Sequence, residues 1–151
     1  MNRSMGSPAD SLFVDTDGWV EPLLRSSPHY PLMVAYSQQT QTTQRPLVTT
    51  NYVINEVVAL LNARPNGPSR HELLQFVNGI LALPQLTLVH IDVDLARAAW
   101  RLLEQRPDKA WSLVDAASFV VMRQQSIAEA FTGDHHFLQA GFIRVPHRPS
   151  A

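Results

Sequence analysis

The chain has 151 residues, of which 45% are hydrophobic and 17% charged, the composition of one folded domain and not of a disordered segment. Its 12 Lys and Arg against 13 Asp and Glu give a formal net charge of -1, which excludes a nucleic-acid binder working by bulk attraction. There is no cysteine, so disulfide scaffolds, thiolate metal sites and thiol nucleophiles are all excluded. No apolar run approaches the ~18 residues of a membrane span, and a cytoplasmic domain is the expectation.

Residues 1–10 are small and polar and read as a loose tail without an apolar secretion core. Residues 148–151 read as a second tail, leaving a single domain over 11–147. Ser11-Leu-Phe-Val14 stops at Asp15 and reads as a buried strand. A helix over 17–25 follows, with Asp17 as its N-cap. The segment 26–31, with two prolines, is a break. A second helix spans 32–44 and ends in a solvated Gln/Thr stretch. Pro46-Leu-Val-Thr-Thr50 is a second strand.

Residues 51–64 form a helix whose apolar face is Val53, Val57, Leu60 and Leu61, widened by Ile54 and Val58. Pro65-Asn-Gly-Pro68 ends it. Further along come a helix over 69–83, a strand over 86–91 and a helix over 92–105 capped by Asp92 or Asp94. A helix over 112–125, a strand over 129–132, a short helix over 135–140 and a strand over 142–145 complete the chain. Strands alternating with helices predict an α/β fold: a mostly parallel sheet of about five strands, covered on both faces.

Four acids stand beside apolar neighbours, where a carboxylate is costly unless paired or metal-bound. Asp15 ends the first strand, and it reads either as a turn residue or as an acid at the ligand-binding edge of the sheet. Glu56 shares a helix face with Tyr52, Val53, Ala59 and Leu60, with no Lys or Arg in reach along the helix. It reads as a solvent-seeking edge residue or as a functional acid. Asp115 interrupts a stretch, 113–122, in which eight of ten residues are apolar. Ser118, three residues on, continues its polar strip, and Ser112-Leu-Val-Asp115 also resembles a capping box. Asp134 lies between a strand and a helix, as Asp15 does, and reads as an N-cap or a site acid.

In a parallel sheet, strand ends and helix starts share one edge, so these four acids would meet there. They would then hold protons or bind a cation. Oxygen ligands favour Mg²⁺ or Mn²⁺ over zinc, and such ions suit phosphodiester hydrolysis.

Leu12-Phe-Val-Asp-Thr16, Val48-Thr-Thr-Asn-Tyr-Val-Ile-Asn-Glu56, Trp111-Ser-Leu-Val-Asp-Ala-Ala-Ser-Phe-Val-Val-Met122 and Ala130-Phe-Thr-Gly-Asp-His-His-Phe137 together resemble the PIN domain family, in particular its VapC-type toxin ribonucleases. The resemblance spans nearly the whole chain. It implies a three-layer α/β sandwich and a Mg²⁺- or Mn²⁺-dependent endoribonuclease. Asp15, Glu56, Asp115 and Asp134 then match the metal-binding acids, with Thr16, Ser118 and Thr132 as supporting hydroxyls. It also implies an RNA substrate, a homodimer, and a small antitoxin that often inserts an Arg or a peptide segment into the acidic pocket. Asp17 departs from the pattern, standing where many relatives have a small residue; it reads as a helix cap or an outer ligand. Free-standing PIN nucleases, DNA-directed nucleases on the same scaffold and binding modules with an idle site are the alternatives.

Other residues carry weaker signals. His135 and His136 read as one packed or capping ring and one solvated ring, because hard-oxygen sites seldom recruit imidazole. His90 is read as core or edge. Ser112, His135 and Asp134 form a hydrolase triad only on paper, since no G-x-S-x-G elbow is present. No phosphate-cradling glycine motif exists either. Eleven of the basic residues are Arg; Arg25, Arg45, Arg70 and Arg123 are candidates for a cationic rim or for solvated helix faces. Trp19, Trp100 and Trp111 read as core or dimer contacts.

Overall fold

The computed structural model describes residues 10–148, so the expected tails, apart from Asp10 and Arg148, lie outside the described residues. Five strands form one parallel sheet: β1 (Leu12–Val14), β2 (Leu47–Thr50), β3 (Leu86–Val89), β4 (Glu129–Phe131) and β5 (Ile143–Val145), in the spatial order β3-β2-β1-β4-β5. The central strands are runs of apolar and β-branched residues, as a sheet covered on both faces requires. Leu12, Phe13 and Ala130 have no exposed surface.

The helices are α1 (Thr16–Val20), α2 (Tyr30–Thr42), α3 (Asn51–Ala63), α4 (Arg70–Leu81), α5 (Val93–Gln105), α6 (Leu113–Gln124) and α7 (His136–Gln139). Among the described residues none is long and apolar enough to cross a membrane. α3 is capped by Thr50, whose hydroxyl accepts from the Val53 amide at 3.1 Å. It buries Val53, Val57 and Leu61. Leu60, assigned to the same face, is 40% exposed: it points to the side that no other element covers. α6 buries nearly its whole circumference, as its composition predicts, with Phe119 stacked edge-on against Trp111 and Phe137 at 5.0 and 4.9 Å.

Local chemistry moves several boundaries. The helix expected over 17–25 begins one residue earlier and stops at Val20, giving way to a 3₁₀ turn over Glu21–Leu23 that contains Pro22. Asp17 is therefore in the first turn and not at the cap; Asp15 holds the cap position. The break at 26–31 is shorter than expected because Pro31 occupies the second helical position of α2, where no amide is needed. α5 is capped by Asp92, which accepts from Leu95 at 2.9 Å. β3 ends at Val89, and His90 is exposed just beyond it, so it is neither a core nor a strand residue.

The strand order fixes where a ligand can sit. From β1 the chain moves outward through β2 to β3, then crosses back to β4 on the other side of β1. The connections on either side of the β1–β4 pair thus run in opposite directions. Open α/β sheets bind ligands at the carboxyl ends of the strands on either side of such a switch point.

Candidate active site

The register of β1 and β4 sets the geometry. Val14 pairs with Phe131, and the Asp15 amide donates to the Phe131 carbonyl at 3.2 Å. Asp15 and Thr132 therefore leave the sheet side by side. The Thr132 hydroxyl donates to Asp15 Oδ2 at 2.9 Å, and the Asp134 amide donates to that same hydroxyl at 3.0 Å. Asp134 Oδ1 in turn accepts from the His136 amide at 2.9 Å.

The other two acids join from the helical layer. The Thr16 hydroxyl donates to Glu56 Oε1 at 2.6 Å, joining α3 to the residue after Asp15. Asp115 Oδ2 accepts from the Ser112 amide at 2.9 Å, and the Ser112 hydroxyl accepts from the Asp115 amide at 3.0 Å, completing the capping box. The same Oδ2 lies 2.9 Å from His136 Nδ1, which is also 3.4 Å from Asp134 Oδ1. Asp115 thus caps α6 and meets the His136 ring with the same oxygen. One connected network runs Glu56, Thr16, Asp15, Thr132, Asp134, His136, Asp115.

The electrostatics are severe. Asp15 is 5% exposed and, among the described residues, neither Asp15 nor Glu56 forms an ion pair. Burial, then the charge of Asp17, pushes the Asp15 carboxyl up to about 8; Glu56 adds to this, while the Thr132 hydroxyl and the Thr16 backbone hold it back. Asp17 is pushed up to about 6 by burial and by the charges of Glu21 and Asp134. Desolvated like charges without a cation are the condition that favours either a retained proton or a bound metal.

Of the three hydroxyls, Thr16 and Thr132 touch the acids. Ser118 does not: its hydroxyl donates to the Val114 carbonyl one turn back, at 2.9 Å. Fully buried in α6, it finds its nearest acceptor in its own helix.

Of the two histidines, expected as one packed or capping ring and one solvated ring, His136 stands between two of the acids and His135 is the exposed ring. Side-chain donor atoms of Asp134, His135 and His136 all lie within 4.8 Å of one another. The helix that presents them has four residues, too few for any periodic pattern to reveal the ring's direction. Asp17 and Glu21 form a further acidic pair facing Gly133, where an added Cβ would stand 3.0 Å from Asp17 Oδ2 and 3.3 Å from Glu21 Oε1.

The cationic rim is not the one expected. Arg45 is locked at the opposite edge of the sheet by Glu129 at 2.8 Å, Tyr36 at 3.1 Å and the Asp10 carbonyl at 3.1 Å. Arg123, at the far end of α6, bonds the Ala140 carbonyl and covers the Phe142 ring. Arg25 lines a separate groove beside the α3–α4 turn, and Arg70 is an exposed first residue of α4. The arginines beside the acids are Arg144 and Arg148. Arg144 Nη1 donates to the Gly133 carbonyl at 3.3 Å, and Arg148 Nη2 lies 4.0 Å from Glu21 Oε2. Arg148, the first residue of the expected C-terminal tail, has its side chain against Glu21 and Met33.

A sheet with this order, acids at its switch point and helices on both faces matches the PIN domain over residues 12–143, and the chain belongs to the PIN-domain family. Over 99 residues it is 33% identical to the 23S rRNA-specific endonuclease VapC20 of Mycobacterium tuberculosis, in strains CDC 1551 / Oshkosh and ATCC 25618 / H37Rv. That match covers 66% of this chain and 72% of VapC20. The crystal structure of M. tuberculosis VapC20, a sarcin-ricin loop cleaving toxin, has a TM-score of 0.73 at 27% identity, covering 87% of this chain and 96% of that one. FitAB bound to an IR36 DNA fragment has a TM-score of 0.64 at 18% identity, covering 88% and 92% of the two chains. FitAcB from Neisseria gonorrhoeae has a TM-score of 0.58 at 18% identity, covering 88% and 95%. The last two share the fold.

Proposed function

We propose that this chain is a Mg²⁺- or Mn²⁺-dependent endoribonuclease, the toxin of a toxin–antitoxin pair acting on RNA in the cytoplasm. The observation that carries the reading is Asp15: a buried carboxyl without a counter-cation among the described residues, at the switch point of the sheet, tied through Thr132 to Asp134. The likeness to VapC20 supports RNA as the substrate class.

The donor set fits a hard divalent ion. Asp15, Glu56, Asp115 and Asp134 offer carboxylate oxygens, the ligands that Mg²⁺ and Mn²⁺ prefer. When bound, the ion supplies Lewis-acid stabilisation of the phosphoryl charge and lowers the pKa of the attacking water. The rest falls to the chain. Thr132 and Thr16 fix the carboxylates of Asp15 and Glu56 in one orientation each. Asp115 is held by the first turn of α6 and keeps the His136 ring turned toward Asp134. His136 Nδ1 thus stands within reach of both carboxylates, 2.9 Å from Asp115 Oδ2 and 3.4 Å from Asp134 Oδ1.

The chain acts as a homodimer in this proposal, and Trp100 supports it. This side chain is 58% exposed on α5, beside Val93 at 64% and an apolar groove reaching Leu113.

The test is cleavage of a structured RNA by purified protein in Mg²⁺ or in EDTA. The expected result is cutting only with the ion, leaving 5′-phosphate and 3′-hydroxyl ends. Equal cutting in EDTA, or cyclic-phosphate ends, contradicts the reading, because the ribose 2′-hydroxyl would then be the attacking group.

A further inference from the structure

An acid cluster repels the substrate it is proposed to cut. The carboxyl edge carries Asp15, Asp17, Glu21, Glu56, Asp115 and Asp134, and RNA brings a phosphate per nucleotide. Something cationic and fixed has to hold the backbone beside such a site.

Two arginines occupy that place, and both meet the same peptide. Gly133 lies between Thr132 and Asp134, two residues of the acid network. From β5, Arg144 reaches its carbonyl at 3.3 Å. From beyond β5, Arg148 places Nη2 2.8 Å from the point where a Cβ on Gly133 would be. A side chain larger than hydrogen at this position would displace the guanidinium.

Among the described residues, Arg148 is incompletely paired by the fold. Arg45 shows what a structural arginine in this molecule looks like: three hydrogen bonds of 2.8 to 3.1 Å to a carboxylate, a phenol and a carbonyl. Arg148 is as deeply placed, with its side chain 13% exposed, yet its Nε is buried with no partner among the described residues. Among the described residues, its Nη2 donates only to the Met33 thioether, at 3.7 Å, and its nearest carboxylate, Glu21, is 4.0 Å away. The planar fork of an incompletely paired guanidinium matches two phosphate oxygens.

We propose that Arg144 and Arg148 form a phosphate clamp on the β5 side of the acid network, holding the RNA backbone next to the bond that is cut. The clamp deepens the ribonuclease reading and rests on it. It divides the work: the acids serve the scissile phosphate through the ion, while the arginines take a neighbouring one.

The experiment is RNA binding by the Asp15→Asn protein, which leaves the RNA uncut, with Arg144→Ala, Arg148→Ala or Arg148→Lys added, at a series of KCl concentrations. Each alanine variant is expected to weaken binding about five- to tenfold and to lower the salt slope by about one unit. Arg148→Lys is expected to recover the slope but not the full affinity, because the charge remains and the fork is lost. Thermal unfolding of each variant separates binding from folding; if Arg148→Ala does not fold, Arg144→Ala and Arg148→Lys still carry the test. Folded variants that bind with unchanged affinity and slope, from a parent that binds, overturn the clamp. A parent that neither binds nor, with Asp15 intact, cuts RNA overturns the ribonuclease reading itself.

Discussion

Asp15→Asn removes RNA cleavage and makes the metal-free protein more stable. The first half follows from losing the charge at the centre of the acid network. Lewis-acid stabilisation is worth several kcal/mol, so cleavage is expected to fall by about a thousandfold or more. The second half follows from linkage. The folded Asp15 carboxyl is pushed up to about 8, against 3.8 for the ordinary group. Between those values the unfolded chain has released the proton and the folded chain still holds it. Stability of the metal-free protein therefore falls as pH rises through this window. At pH 7 the strain amounts to about 2–4 kcal/mol, taken from the pKa difference and discounted for relaxation. Asparagine carries no charge to desolvate, and its carbonyl still accepts from Thr132. Denaturant unfolding in EDTA at pH 7 checks this. A variant less stable than the parent means that the carboxylate holds the fold together and is not a strained ligand.

The same proton controls the ion. A divalent cation binds the carboxylate, so Asp15 must release its proton first. With a carboxyl at about 8, the ionised fraction rises from about one in a hundred at pH 6 to about one half at pH 8. Mg²⁺ affinity is expected to increase by about fiftyfold over that range, with close to one proton released per ion at the lower end. Calorimetry in buffers of different ionisation enthalpy measures both quantities. In the Asp15→Asn protein the pH dependence is expected to disappear along with most of the affinity. Affinity that is flat from pH 6 to 8 in the parent means that Asp15 does not hold the ion.

The elements that place the acids were the most legible part of the sequence. Leu12-Phe-Val14 reads as a buried strand because nothing in it tolerates water, and it ends where the structure ends it, at Asp15. α6 is apolar all round, so Asp115 is conspicuous there, and its capping box is visible as a spacing. The strand order was not legible. Period and composition say that strands are parallel, but not that β4 returns to lie against β1, and it is this pairing that brings Thr132 to Asp15.

What the sequence hid depended on tertiary placement. His136 sits on a helix of four residues, and only the fold turns its ring toward Asp115. Arg45 and Arg148 are equivalent as letters; one closes on Glu129 at the amino edge of the sheet, and the other faces Gly133 at the carboxyl edge. Pro22 lies inside the helix expected over 17–25, yet α1 ends before it at Val20, and Gly18 lets α1 approach β4 closely. A Cβ there would meet the Phe131 carbonyl at 2.4 Å, so the helix packs flush against the end of β4. Leu60 was placed in the core by its spacing, but no element covers that side of α3, and periodicity cannot report a missing neighbour.

The central claim is that carboxylates distant in the chain share one ion. The direct measurement is the anomalous difference map of a crystal grown with Mn²⁺ above pH 8. The expected result is a peak bound by Asp15 and by at least one of Glu56, Asp115 and Asp134. A map with no peak at Asp15, or with the ion held by the two histidines and Asp134 alone, contradicts it.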